Sequence, residues 1–217
     1  MIFLTTVPKT GLHLMRHILG MGEIRLRGAL MSHVINDIGQ LQHCRIYPSG
    51  ISGHIEYHRR FADFAKYLPS FTLLRDPRDV IVSAYHYVDV VPKGHPFLRI
   101  QGSDALYSNY RGEDRMDLLI ESCWKIFNPY LPWLETNIIP VRYEDLLENT
   151  VQALVPVAEA TGYDLSMMVE RAAYRGGLTF RKGVAGEWRH EFNDRQVARF
   201  NKLYGHIMEA WGYALGS

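Results

Sequence analysis

The chain has 217 residues, of which 47% are hydrophobic and 22% charged, and its formal net charge is +1. This composition is typical of one globular domain, which we expect to span residues 1–217. The near-neutral charge excludes a general attraction to nucleic acid or to an anionic membrane, so an anion site must be built locally. Two cysteines without zinc-site spacing and the absence of an apolar run of about 20 residues predict a soluble, cytoplasmic protein.

Strand and helix patterns alternate along the chain. Apolar runs at residues 2–6, 71–74 and 138–141 are typical of buried parallel strands, and each leads through a polar turn into a helical pattern. Helices are predicted at residues 12–19, 57–67, 79–88, 116–135, 151–161, 166–174 and 194–211. This order predicts an α/β fold with a central parallel sheet flanked by helices.

A long polar region separates the middle helices. Residues 91–113 contain several prolines and glycines and predict a long loop, which is either a surface excursion or a segment that contacts a second substrate. The charged run from Arg111 to Asp117, which includes Arg115, is typical of a solvated helix face.

The first polar turn, Pro-Lys-Thr-Gly, stands between an apolar strand and an apolar helix. The N–H groups at a helix start, the charge of Lys9, the hydroxyl of Thr10 and the missing Cβ of Gly11 together favour an anion. The alternative is a tight turn with a solvated lysine. The glycines that a Walker P-loop needs before its lysine are not present in residues 3–8.

Two further runs carry basic residues beside turns. In the run from Leu73 to Ser83, Arg75 follows a strand and Ser83 lies in the next helix, so both are candidates to bind one phosphate. The alternative there is a surface salt bridge, either Arg75 with Asp79 or Arg78 with Asp76. The late run Arg181-Lys182-Gly183 is a candidate anion clamp on a loop.

Taken together, the three runs resemble the signatures of the PAPS-dependent sulfotransferases, whose donor is 3′-phosphoadenosine-5′-phosphosulfate. The family patterns are close to YPKSGTTW, RDPRDVxVSxYH and RKGxxGDW, and this chain has VPKTGLHL, RDPRDVIVSAYH and RKGVAGEW. The resemblance implies a P-loop-NTPase-like sulfotransferase fold. It also implies that the donor is bound by Lys9, Thr10, Gly11, Leu12, His13, Arg75, Ser83, Tyr143, Arg181, Lys182 and Gly183, with Tyr174 as a further candidate near the adenine.

The first run departs from the family pattern, because Leu12-His13-Leu14 replaces Thr-Thr-Trp and so removes hydroxyl donors and an aromatic ring. By its spacing from Arg75, His54 resembles the catalytic histidine of the family, and we expect it to act as the base beside Lys9. His58 and His86 are rival histidines, and Glu56 is a rival base for an amine acceptor.

The resemblance implies in-line transfer of a sulfonate to a hydroxyl or amine of a small-molecule acceptor. We expect no metal to take part, and neither a nucleic acid nor a membrane as partner; the sequence leaves the oligomeric state open. Two alternatives remain at this point: a P-loop-like kinase of a small metabolite and a catalytically inactive nucleotide-binding protein.

Overall fold

The apolar runs of the sequence become neighbouring strands in a computed structural model of the protein, which describes residues 1–21, 34–35, 45–47, 50–100, 104–173 and 182–216. The fold divides into two units. Unit 1 comprises Met1–Arg75 and Pro129–Gly183, and unit 2 comprises Asp76–Asn128 and Val184–Ser217.

The sheet belongs to unit 1. Its strands are β1 (Ile2–Thr6), β2 (Val34–Ile35), β3 (Arg45–Tyr47), β4 (Gly50–Ile55), β5 (Ser70–Leu74) and β6 (Ile139–Arg142). The order β2-β4-β1-β5-β6 is parallel throughout, and β3 pairs antiparallel with β4. The predicted central parallel sheet is therefore confirmed.

Helices occupy most of the chain between and after the strands. They are α1 (Leu12–Ile18), α2 (Arg59–Ala65), α3 (Pro77–Tyr87), α4 (Gly112–Ser122), α5 (Trp124–Phe127), α6 (Tyr143–Glu148), α7 (Thr150–Thr161), α8 (Leu165–Ala172), α9 (Trp188–Glu191) and α10 (Asp194–Ala210). Short 3₁₀ helices lie at Pro96–Leu98, Tyr107–Asn109 and Asn128–Glu135. Within the described residues, no helix is both long enough and apolar enough to cross a membrane.

The core of unit 1 forms where the sheet meets α1, α7 and α8. Leu4, Phe71 and Leu73 from the strands and Met15 and Ile18 from α1 are all buried in one cluster. Burying such side chains contributes about 1.5–3 kcal/mol each, which fixes α1 against the sheet and thereby fixes the turn that precedes it.

Unit 2 packs around α3, α4 and α10. Its core includes a cluster of aromatic rings, in which Phe127 contacts both Tyr204 and Trp211. The Tyr204 hydroxyl donates to the carbonyl of Ile120 at 2.7 Å, so the polar end of this buried ring is satisfied.

The structure corrects one prediction in unit 2, that of a fully solvated charged face on α4. Arg115 is completely buried, and its guanidinium donates to the Tyr110 carbonyl at 2.9 Å and to Asp89 at 2.8 Å. A charged side chain is buried there because those acceptors, together with the Tyr85 ring 5.1 Å away, replace water.

Other element boundaries also differ from the sequence prediction. The predicted helix at 116–135 divides into α4, α5 and the 3₁₀ segment Asn128–Glu135, which contains Pro132. A proline removes an N–H donor and clashes with the preceding turn of an α-helix. The predicted loop at 91–113 contains two 3₁₀ turns and a bridge between Arg99 and Leu106.

Candidate functional site

Four adjacent strands of unit 1 deliver the candidate residues to one edge of the sheet. The turn containing Lys9 follows β1, Arg75 follows β5, Tyr143 follows β6, and His54 is the penultimate residue of β4. Because these four strands are parallel, their carboxyl ends meet at the same edge. Open α/β sheets bind ligands at this edge.

The turn after β1 has an unusual backbone. Lys9 has φ +73° and Gly11 has φ +106°, both in the left-handed region. The backbone of Gly11 therefore favours glycine, and an added Cβ would also make tight contacts of 3.2 Å with the side chains of Leu73 and Tyr143. A strained non-glycine residue is typical of a functional turn, and here that residue is the lysine.

The residues on either side of Gly11 have different surroundings. Thr10 is fully buried and its hydroxyl donates to the Val7 carbonyl at 2.8 Å. A contact of Thr10 with an anion stays a prediction. Leu12 packs into the core, whereas His13 is exposed. The start of α1 has no side-chain cap. Without a side-chain cap, the N–H groups of the first turn of α1 are directed to the turn that contains Lys9.

Arg75 and Tyr143 approach this turn from the next two strands. The Arg75 guanidinium lies 4.7 Å from the centre of the Tyr143 ring, and its Nη1 is 3.4 Å from the Lys9 carbonyl. Arg75 is 9% exposed. A planar, nearly buried guanidinium held against a ring can donate two parallel hydrogen bonds to a phosphate.

His54 has a defined tautomer. Its Nδ1 lies 3.0 Å from the Thr6 carbonyl and 3.1 Å from the Thr6 hydroxyl. Because a carbonyl only accepts, Nδ1 carries the proton in this arrangement. The lone pair of the neutral ring is therefore on Nε2, which is the form that a general base requires.

The surroundings of His54 favour this neutral form. Burial is the main cause that lowers the pKa of His54 from 6.5 to about 4, and the charges of Arg16, His13 and Lys9 lower the pKa further. The hydrogen bond to Thr6 acts in the opposite direction.

Sequence reasoning missed Arg16, which lies on α1. Its Nε donates to the Ser52 hydroxyl at 2.7 Å, and its Nη2 to the Ser52 carbonyl at 3.1 Å. This pair of bonds joins α1 to the strand that carries His54. No motif of the sequence could have found Arg16, because the contact depends on the pairing of β1 with β4.

The rival bases have other contacts. His58 caps α2, where its Nδ1 accepts from the Arg60 N–H at 3.2 Å. His86 belongs to unit 2 and lies 3.2 Å from Glu191. Burial raises the pKa of Glu56, whose side chain is partly buried. Of the candidates, His54 is the one held at the strand edge with its tautomer fixed.

The remaining predicted residues are described one by one. Ser83 lies on α3 in unit 2 and is partly buried. Lys182 is exposed, and Gly183 has φ +64°. Arg181 and Tyr174 lie outside the described residues. A joint contact of Arg75, Ser83 and these late residues with one phosphate stays a prediction.

The segment that follows Gly183 is held firmly within unit 2. The Asp79 carboxylate accepts from the Gly186 N–H at 2.7 Å and from the Trp188 N–H at 2.9 Å. The Trp188 ring is buried, with the Arg78 guanidinium 3.7 Å from its centre. Arg78 also pairs with Asp76 at 2.8 Å, but this salt bridge is buried and so differs from the surface pair expected as an alternative.

Comparisons with known proteins extend this description. Residues 1–175 match the family model described as "Sulfotransferase domain". The chain is similar to Sulfotransferase 6B1 of Danio rerio, with 25% identity over 65% of this chain and 52% of that protein. It is also similar to the 3-beta-hydroxysteroid sulfotransferase of Cavia porcellus, with 23% identity over 77% of this chain and 64% of that protein. The chain therefore spans about half to two thirds of the length of these relatives.

Solved structures share the fold. The mouse sulfotransferase SULT7A1, solved in complex with PAP, superposes with a TM-score of 0.63 at 21% identity, over 95% of this chain and 84% of that one. Retinol dehydratase in complex with androsterone and the inactive cofactor PAP gives a TM-score of 0.51 at 15% identity, over 96% of this chain and 80% of that one. At such identities the likeness shows the α/β fold.

Proposed function

Because the chain belongs to the sulfotransferase domain family, we propose that it transfers a sulfonate from 3′-phosphoadenosine-5′-phosphosulfate to a hydroxyl or amine of a small-molecule acceptor. The observation that carries the proposal is the convergence of His54, the Lys9 turn, Arg75 and Tyr143 at the ends of four adjacent strands. This set provides a base, cations and an aromatic ring at one edge.

The residues of this edge fit a nucleotide that carries two separate phosphate groups. Gly11 allows the left-handed backbone of the turn, and Lys9 brings a full positive charge to the same turn. Arg75, one strand away, is suited to a second phosphate, and the Tyr143 ring beside it offers a stacking surface. Two cationic groups on neighbouring strands match a donor with phosphates at both ends of its ribose.

The proposed chemistry uses His54 and Lys9. His54 takes the proton of the acceptor hydroxyl at Nε2, while its Nδ1–H stays bound to Thr6. Lys9 and the N–H groups of the turn stabilise the negative charge that develops on the phosphate side as the S–O bond to the donor breaks and the bond to the acceptor oxygen forms. Each of these roles is filled by a group of the chain, so the step as written uses no metal.

The acceptor class is inferred from relatives. The similar proteins include a hydroxysteroid sulfotransferase and an amine sulfotransferase, and solved neighbours hold androsterone or retinol. These names support a small organic acceptor and do not favour a kinase.

We further propose the cytoplasm as the compartment. The buried free thiol of Cys123 supports this proposal, and burial raises the pKa of that thiol.

A calorimetric titration without metal tests the donor. We expect 3′-phosphoadenosine-5′-phosphate to bind at least ~10-fold tighter than 5′-AMP, equivalent to roughly 1.4 kcal/mol, and tighter than ATP. Equal affinity for the bisphosphate and AMP would contradict the proposed donor. Tighter binding of ATP would favour the kinase alternative.

A pair of arginine variants sharpens this titration. Arg75→Met should abolish the preference for the bisphosphate over AMP, because the lost guanidinium is the group assigned to the 3′-phosphate. Arg59→Met, which removes an exposed guanidinium from α2 in the same unit, is the matched control and should retain the preference. If both variants keep the preference, Arg75 does not bind that phosphate.

A further inference from the structure

A second cluster of reactive side chains lies entirely within unit 2. His86, Glu187 and Glu191 each offer one possible ligand atom, an imidazole nitrogen or a carboxylate oxygen, and these atoms lie within 4.8 Å of one another. None of the three belongs to the residues proposed to bind the nucleotide or to transfer the sulfonate.

The backbone places these side chains by a simple periodicity. Glu187 is the N-cap of α9 and Glu191 its last residue, so the two carboxylates are four residues apart on one helical turn and share a face. On α3, His86 is seven residues, or about two turns, beyond Asp79, so these two side chains also share a face.

Two contacts along α3 clamp the segment that carries the carboxylates. Asp79 binds the N–H groups of Gly186 and Trp188 at 2.7 and 2.9 Å, and His86 Nε2 lies 3.2 Å from Glu191 Oε1. The Arg78 guanidinium also stacks on the ring of Trp188, which lies between Glu187 and Glu191 in the sequence. These contacts fix the backbone that carries the two carboxylates, and rigid ligand sites are held by supporting contacts of this kind.

The burial of the cluster differs from that of a solvated acidic surface. Glu187 is 7% exposed, and the side chains of Glu191 and His86 are 29% and 32% exposed. A cation bound between two partly buried carboxylates relieves the repulsion between them. With a neutral imidazole, the three ligands carry a charge of −2, which one divalent ion balances.

We propose that His86, Glu187 and Glu191 form a binding site for a divalent transition-metal ion of the Zn²⁺ type. One imidazole and two carboxylates are a ligand set that suits zinc, cobalt and manganese, whereas magnesium and calcium favour oxygen alone. Three protein ligands leave a coordination position open. Glu191 also lines a pocket of about 330 Å³ with Glu113 and Asn193, which gives water or a small ligand room beside the ion.

The bound ion would replace the contact between His86 and Glu191 by stronger bonds to both, and any proton on the imidazole would leave to solvent. It would join α3 to α9. Ser83 lies one turn before His86, and Gly183 lies four residues before Glu187. The ion would therefore stiffen two segments that carry residues predicted to bind the sulfonate donor.

The test uses the full chain, freed of metal by a chelator and titrated with CoCl₂ and then with ZnCl₂. We expect one equivalent of Co²⁺ to give the visible absorption of a low-symmetry site, Zn²⁺ to displace it, and Zn²⁺ to raise the melting temperature. At the same concentration, MgCl₂ and CaCl₂ should neither displace Co²⁺ nor raise the melting temperature. No cobalt spectrum, or equal binding of magnesium, would overturn the proposal.

Three variants separate a built site from adventitious binding. Glu191→Gln and His86→Asn should each weaken Zn²⁺ binding at least ~10-fold, while Glu113→Gln, an exposed carboxylate on the same pocket, should leave it unchanged. Circular dichroism verifies that each variant is folded. Unchanged binding in the first two variants would show that zinc is held elsewhere. Because no step measures nucleotide binding or transfer, failure here leaves the proposed function intact.

Discussion

The stability of the protein should depend on the protonation of His54, and a single substitution can isolate this dependence. We choose His54→Asn because the asparagine amide nitrogen takes the place of Nδ1. It can keep the hydrogen bond to the Thr6 carbonyl while removing the titrating group.

The sign follows from the direction of the shift. The pKa of His54 is lowered from 6.5 to about 4 in the folded protein, so on acidification the unfolded chain takes up this proton first. Proton uptake by the unfolded chain lowers the free energy of unfolding. The contribution of the neutral ring is therefore complete above pH 6.5 and is lost as the pH falls from 6.5 to 4.

The magnitude follows from the same two values. A difference between 6.5 and about 4 corresponds to about 3 kcal/mol, which is a large part of the 5–15 kcal/mol that stabilises a typical domain. The free energy of unfolding of the wild type minus that of His54→Asn should fall by about this amount between pH 7 and pH 4.

Urea denaturation at a series of pH values, followed by circular dichroism, measures this difference. His206→Asn, which removes an exposed imidazole from α10, is the matched control for the loss of one histidine. A difference between wild type and His54→Asn that stays constant from pH 7 to pH 4, or that grows on acidification, would refute the reasoning, because either result would mean that folding does not favour the neutral ring.

Further predictions concern catalysis and packing. His54→Asn should lower kcat for sulfonate transfer at least ~100-fold with little change in bisphosphate affinity, since a positioned base contributes that much; unchanged turnover would exclude His54 as the base. Gly11→Ala should lower the free energy of unfolding by about 1–3 kcal/mol, measured by urea denaturation, because φ is +106° there. Arg115→Met should lower the free energy of unfolding by about 1–3 kcal/mol, because the Tyr110 carbonyl loses its donor, whereas the exposed Arg199→Met, which loses its pair with Glu121, should lower it by less than about 1 kcal/mol. Equal costs for the two arginines would contradict the assigned burial.

The strands that the sequence predicted share one property. Residues 2–6, 71–74 and 138–141 are apolar runs bounded by polar turns, and they form β1, β5 and β6 within one residue at each end. β4 was missed because Gly-Ile-Ser-Gly-His-Ile contains two glycines and no apolar run. That strand is stabilised by pairing with β1 on one edge and with β2 and β3 on the other, which no local pattern reveals.

The candidate site divides in the same way. The turn after β1 and the family motifs identified Lys9, Arg75 and Tyr143, which lie within three residues of the end of a strand. The contact of His54 with Thr6 and the cluster around His86 could not be predicted, since their partners lie 48 and more than 100 residues away along the chain. Long-range pairs of this kind are set by sheet register and helix packing, which the sequence alone does not define.

The strand order also determines when the proposed binding edge can exist during synthesis. β1 leaves the ribosome before its partners β4 and β5, which follow at residues 50–55 and 70–74, and before β6 at residues 139–142. Parallel pairs of this separation close large loops, so they form slowly and late. A nascent chain that ends before Tyr143 therefore lacks one wall of the edge, and nucleotide affinity should appear only after α6 has emerged.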